Sequence, residues 1–171
     1  DVEVYSLGQA PAFLKEPLID FEVLDPQDDK FYDLCKDAIA ASDVIVASGW
    51  MYPQFCQALL DVKKTKQLTA IGMVDTPWKD SIKQELRALL GKNKIQKLYD
   101  IIWVPGARAL PLAHRLGYSG KKLLQGLYCA NTNKFLRPVD TTLEKKQSFI
   151  FVGRLVKEKN IAGLLKAYET Y

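Results

Sequence analysis

Five short apolar runs recur along this chain, and they constrain its fold more than any other feature. Val44-Ile45-Val46-Ala47 stops at Ser48-Gly49, and Ile101-Ile102-Trp103-Val104 stops at Pro105-Gly106. Leu68–Val74, Leu123–Leu127 and Ser148–Val152 complete the set. A short run that is apolar on both sides reads as a strand covered on both faces, which is the condition inside a parallel sheet. The stretches between the runs carry helical spacing. Strands alternating with helices imply right-handed βαβ units. The expected fold class is therefore α/β, a Rossmann-like parallel sheet flanked by helices, with Val44–Ala47 as a central strand.

The helical segments follow from periodicity and punctuation. Phe31, Leu34, Cys35, Ala38 and Ile39 share one face of a helix over Phe31–Ala41, with Asp28 or Asp29 placed to cap it. Pro53 suits the first turn of a helix running to Lys64. Asp80 is expected to cap a helix carrying Ile82, Leu86, Leu89 and Leu90, which Gly91 would end. A short helix over Lys94–Tyr99, another over Ala107–Leu116 and a last one over Ile161–Tyr171 follow. Nearer the start, Val2–Ser6 and Asp20–Leu24 read as strands, with Pro11, Pro17 and Pro26 in loops.

With 171 residues the chain is long enough for one α/β domain with a real core. Residues 136–146 are polar, charged and interrupted by Pro138. The organisation expected is an N-terminal domain over 1–138, a linker over 139–147, and the opening βα unit of a second domain over 148–171. That last piece is too small to hold a core of its own. The chain starts without methionine and without a signal-peptide pattern, so a cut N-terminus is expected.

Cys35, Cys56 and Cys129 have no paired spacing and read as isolated thiols of a reducing compartment, which makes the cytoplasm the expected location. Residues 1–44 hold 11 acidic and 3 basic side chains, and the remainder 9 acidic and 21 basic. Such a basic remainder attracts phosphates, acidic lipid or nucleic acid, or is a set of solvated lysines.

Several chemistries are excluded by what is missing. There is no G-x-G-x-x-G after a strand, no phosphate-loop motif and no G-x-S-x-G elbow. One histidine, His114, rules out a histidine-based metal cluster, and no Asp-x-Asp pair is present to hold a metal diphosphate. No metal and no cofactor are expected. What remains is the loop Gly153-Arg154-Leu155-Val156-Lys157-Glu158-Lys159-Asn160. Gly153 permits a tight turn or a close approach. Arg154 and Lys159 beyond a strand end suit a diphosphate, whose charge develops as a sugar–phosphate bond breaks. The plainer alternative is a strand-to-helix turn with surface cations.

Phe151-Val152-Gly153-Arg154-Leu155-Val156-Lys157-Glu158-Lys159-Asn160-Ile161, followed by Leu164-Leu165 and Ala167-Tyr168, resembles the start of the second domain of group 1 glycosyltransferases. These are retaining enzymes of the GT-B type, two Rossmann-like domains facing across a cleft. Upstream, Trp103–Arg108, Ala113–Gly117, Gly126-Leu127-Tyr128 and Phe135 resemble the end of the first domain in one branch of that family. Ser48-Gly49-Trp50 and Asp75-Thr76-Pro77-Trp78 resemble its cleft-facing loops. The resemblance implies that Gly153, Arg154 and Lys159 hold the donor diphosphate. It implies a nucleotide-sugar donor and a hydroxyl acceptor: a glycan, a lipid or a small molecule. The family's usual glycine after the lysine is here Asn160, and the E-x7-E motif of the family's second domain is absent from the 171 residues, which end before its expected place. The chain is thus expected not to be a complete catalyst.

Three residues are candidates on the acceptor side. Asp75, at a strand end, would act in catalysis by orienting an acceptor hydroxyl; otherwise it caps a turn. Trp78 would stack on a sugar ring or sit in the core. Trp50, with Tyr52, would line the cleft or pack under the following helix. His114 reads as a helix-end residue and Cys56 as core. The clusters Lys63-Lys64-Thr65-Lys66 and Lys92-Asn93-Lys94 are solvated faces, or a peripheral membrane contact if the acceptor is a lipid. The rival reading is a non-catalytic Rossmann-like module binding an anionic ligand or nucleic acid. No recognisable nucleic-acid motif is present, so no nucleic acid is expected.

Overall fold

The structure is a computed structural model and describes residues 2–7, 22–126, 128, 132 and 148–170. The chain divides into two compact units, Asp1–Ala130 and Asn131–Tyr171. The expected linker over 139–147, together with Cys129, Asn131 and Phe135, lies outside the described residues.

In the first unit β1 (Tyr5–Leu7) pairs in parallel with β2 (Glu22–Leu24), Tyr5 lying opposite Glu22. The chain continues as α1 (Phe31–Ala41), β3 (Val44–Ser48), α2 (Pro53–Thr65) and β4 (Thr69–Met73). Then come α3 (Ile82–Leu98), β5 (Ile101–Val104), α4 (Leu110–Arg115) and β6 (Leu123–Gln125). Strands β3 to β6 form one all-parallel sheet in the order β3-β4-β5-β6. The class is therefore α/β, with a parallel sheet of four strands and helices against it.

The strand order explains which face is covered. Right-handed crossovers that step across the sheet in one direction place every connecting helix on the same side. Ala47, Ala70, Ile102 and Val104 point to that side and are buried, as are Phe55, Leu59 and Val62 of α2. Helix α1 joins the same layer by packing against α2 and burying Phe31, Cys35 and Ile39. At Gly72 an added Cβ would lie 2.8 Å from the Tyr99 ring and 3.0 Å from Ile102, so the absence of a side chain lets that ring rest on the sheet.

The opposite face differs from expectation. Val44 and Val46 are 56% and 48% exposed and Leu124 is 40% exposed. Trp103 on the same face has an inaccessible Nε1 with no hydrogen-bond partner among the described residues. The run Val44–Ala47 was expected to be a central strand. Among the described residues it is an edge strand of its sheet, because β1 and β2 pair with each other and β3 pairs with β4 alone. Apolarity on both faces did not distinguish the two positions.

Helix ends are satisfied largely by neighbouring elements. Asp28 accepts the Lys30 N–H at 2.8 Å, so it organises the start of α1, although the cap position itself is Lys30. Pro53 stands in the first turn of α2 as expected. From the far end of α2, Lys66 Nζ donates to the Ala40 and Ser42 carbonyls at 3.0 and 2.9 Å. Lys63 Nζ donates to the Leu98 carbonyl at 3.2 Å and pairs with Asp100 at 2.9 Å. Lys63 of α2 and Lys66 just past its end thus serve carbonyls at the C-termini of α3 and α1.

Helix α3 departs most from the sequence reading. It runs unbroken through Gly91 to Leu98, so the two expected helices are one. Ser81 caps it, accepting the Gln84 N–H at 3.2 Å, while Asp80 adopts a left-handed conformation at φ +49. Its buried residues are Ala88, Ile95 and Leu98, and the expected apolar face of Ile82, Leu86, Leu89 and Leu90 points to solvent.

In the second unit no strand forms over Ser148–Val152 among the described residues, since nothing described there supplies a neighbouring strand. A single 3-10 turn over Lys157–Lys159 leads into α5 (Ile161–Thr170). Phe149 and Tyr168 meet edge to face, with centroids 5.4 Å apart. None of the unit's described residues is buried.

Candidate active site

Parallel α/β sheets bind ligands outside the carboxyl ends of their strands, because the loops there diverge and leave a crevice. In the first unit that edge carries Gly49 after β3, Asp75 after β4, Gly106 after β5, and Gly126 with Tyr128 after β6. A Cβ added at Gly49, Gly106 or Gly126 would meet nothing within 4 Å among the described residues, so the described part of the edge is open at three of its four strand ends. Gly49 and Gly126 also have φ of +72 and +86, which side-chain-bearing residues rarely adopt.

Asp75 sits on this edge and is exposed. Its Oδ2 accepts a hydrogen bond from the Tyr128 hydroxyl at 2.9 Å, which joins the loops after β4 and β6. The bond raises the Tyr128 hydroxyl above the ordinary tyrosine value, because the carboxylate favours the protonated phenol. Oδ1 accepts no hydrogen bond among the described residues. Tyr128 belongs to the stretch that carries the resemblance, but its pairing with Asp75 spans 53 positions and has no sequence signal.

Trp78 is half-buried against the core, and its backbone N–H donates to Arg108 O at 2.9 Å. Its indole Nε1 donates to Asp80 Oδ1 at 2.6 Å. The Arg115 guanidinium lies 3.9 Å from the ring centroid and also donates to Glu85 at 2.7 Å. One indole face is therefore occupied by a cation, a contact favoured by the ring quadrupole. Trp78 is a wall fixed beside the edge, not a freely turning platform. Trp50 is half-buried against the core, and its carbonyl accepts the Cys56 thiol at 3.7 Å. Behind it, the Tyr99 hydroxyl donates to the Gly49 carbonyl and ties the β3 loop to the end of α3.

Other candidates resolve into structural roles. Cys35 and Cys56 are buried, and burial pushes both thiols up, Cys35 to about 11, which suppresses the reactive thiolate. His114 stands in the last turn of α4, its Nδ1 3.1 Å from the Tyr118 carbonyl. A hollow lined by Gln96, Tyr99, Asp100, Gly117, Tyr118 and Lys122 lies at the amino end of β5, away from the carboxyl edge. Among the described residues no group of three or more His, Cys, Asp and Glu side chains is placed to hold a metal ion.

In the second unit Gly153, Arg154 and Lys159 are exposed, and neither cation forms an ion pair among the described residues. A Cβ on Gly153 would stand 3.0 Å from the Phe151 ring, so what approaches this glycine is the chain's own phenylalanine. The loop is held by turns in which Val156 N–H donates to Arg154 O at 2.9 Å and Lys159 N–H to Val156 O at 3.0 Å. Asn160 adopts φ +48 and ψ +46, the left-handed conformation that a glycine takes without strain. Its side-chain amide would lie 2.5 Å from a Cβ on Gly163, so Asn160 folds over the first turn of α5.

No protein-family model, no curated protein and no solved structure matches this chain.

Proposed function

We propose that this chain is the acceptor-side domain, with the opening βα unit of the donor-side domain, of a retaining glycosyltransferase of the GT-B type. The reaction moves a sugar from a nucleotide-sugar donor to a hydroxyl acceptor. The observation that carries the reading is the joining of Asp75 and Tyr128 on the carboxyl edge of a parallel sheet, beside glycine loops that leave the edge open. Asp75 keeps one oxygen to receive an acceptor hydroxyl, and the fixed Trp78 ring bounds the place where a sugar would lie. Arg154 and Lys159, exposed and free of ion pairs among the described residues, are available to the charge that grows on a departing diphosphate.

The test uses the full reading frame that carries this chain, incubated with a panel of nucleotide sugars and hydroxyl acceptors. Release of a nucleoside diphosphate is the expected signal. Asp75→Asn should lower kcat roughly a hundredfold through misplaced acceptor. Arg154→Ala should raise the donor KM by about 10- to 100-fold, the cost of one charge-assisted contact. A protein that transfers and hydrolyses none of these donors overturns the reading.

A further inference from the structure

Helix α3 has two apolar sides, and the core uses one. Ala88, Ile95 and Leu98 pack inward. On the other side Ile82, Leu86, Leu89 and Leu90 are 88%, 54%, 70% and 73% exposed. Their spacing of four, three and one places them in a single stripe along the first half of the helix. Leucines in a row are costly to leave in water, about 1.5–3 kcal/mol for each side chain that burial would cover.

The charges beside the stripe say what covers it. Between Lys79 and Lys97 the chain holds six cations and two carboxylates. Both carboxylates are engaged, Asp80 with the Trp78 indole and Glu85 with Arg115. Lys83 and Arg87 flank the stripe on one side, with Lys97 further along the same face, and all three are exposed without an ion pair among the described residues. The lysines at the end of α2 are not part of this surface, since Lys63 and Lys66 are taken up by helix-end carbonyls and by Asp100 and Asp43. An apolar stripe edged by cations is the pattern of a helix that lies flat on an anionic bilayer, its apolar side sunk at the headgroup boundary and its lysines reaching phosphates. A second copy fits less well. In an antiparallel two-fold pairing the same flank of each helix meets, which sets Lys83 and Arg87 against their own copies.

We infer that the outward face of α3, centred on Leu86, Leu89 and Leu90 and edged by Lys83 and Arg87, is a docking surface for an anionic lipid bilayer. The inference stands apart from the proposed reaction, and its test needs no substrate. The 171-residue chain is sedimented with vesicles of phosphatidylcholine alone and with vesicles that also contain phosphatidylglycerol. It should pellet with the anionic vesicles, weakly with the neutral ones, and less as salt rises. The double variant Leu89→Ser/Leu90→Ser should stay in the supernatant. Lys83→Gln/Arg87→Gln should bind more weakly by roughly fivefold for each charge removed. All four side chains are exposed, so circular dichroism and thermal midpoints of both variants should match the parent. Failure of the parent chain to pellet overturns the inference, as does equal pelleting of parent and leucine variant. Light scattering that shows a dimer dispersed by the leucine substitutions assigns the stripe to a second copy and overturns it too.

Discussion

Gly72 shows how much one missing methyl group decides. It stands on the covered face of β4, where a Cβ would press to 2.8 Å on the Tyr99 ring. That ring is part of the core and its hydroxyl holds the Gly49 carbonyl at the open edge, so layer spacing and site geometry meet at this position. Gly72→Ala should therefore destabilise the chain by about 1–3 kcal/mol through overpacking, read as a lowered thermal midpoint. Tyr118 carries a second test. It is buried, and its hydroxyl donates to the Tyr99 carbonyl at 2.8 Å, with the Ile95 carbonyl 3.1 Å away. Burial, and then the Asp100 charge, push it from 10.0 up to about 12. The folded state therefore favours the protonated phenol. The stability this contributes is complete below pH 10 and is lost as pH rises from 10 towards about 12. Tyr118→Phe should be less stable than the parent at neutral pH, because the Tyr99 carbonyl loses the phenol as its donor, whereas the Ile95 carbonyl keeps the Tyr99 N–H. The gap between the two proteins should narrow across that alkaline range in denaturant titrations. A gap constant with pH would show that the phenol does not titrate as argued.

Among the elements, α3 separates pattern from packing. Its sequence carries apolar residues on two sides, and periodicity alone favoured the longer row of Ile82, Leu86, Leu89 and Leu90. The folded chain buries the other row, Ala88, Ile95 and Leu98, on a helix that packs against α2 and α4, and this packing fixes its rotation. Gly91 read as a terminus because glycine so often follows a helix. Here it lies inside, with an ordinary negative φ, and a Cβ would meet only Ile95 Cδ1 at 3.5 Å. Gly91→Ala should accordingly stabilise by about 0.5–1 kcal/mol by reducing the freedom of the unfolded chain. At this chain length that is a rise of roughly 1–4 °C in the thermal midpoint. Other elements were plain from local chemistry. Pro53 opened α2, Pro105-Gly106 closed β5, and Asp28 set the start of α1, because each acts on the backbone beside it.

For the whole molecule, burial among the described residues is confined to the first unit. All the buried hydrophobic residues among those described lie between Leu24 and Tyr118, and none of the described residues of 148–170 is buried. A helix of ten residues is marginal without packing. Amide exchange should therefore be fast throughout 148–170 and slow in β4 and β5, whose amides open only with the core. Slow exchange in α5 would refute that assignment of stability.

Residue order and side-chain chemistry were enough to reveal an α/β chain, its parallel strands, and Asp75, Trp50 and Trp78 as loop residues at strand ends, because each depends on neighbours within a few positions. They could not reveal that β3 lies at an edge, that α3 turns its leucines outward, or that Tyr128 reaches Asp75 and Arg115 covers Trp78. Those contacts join segments dozens of residues apart, and they exist only once the crossovers have brought separate loops to one side of the sheet.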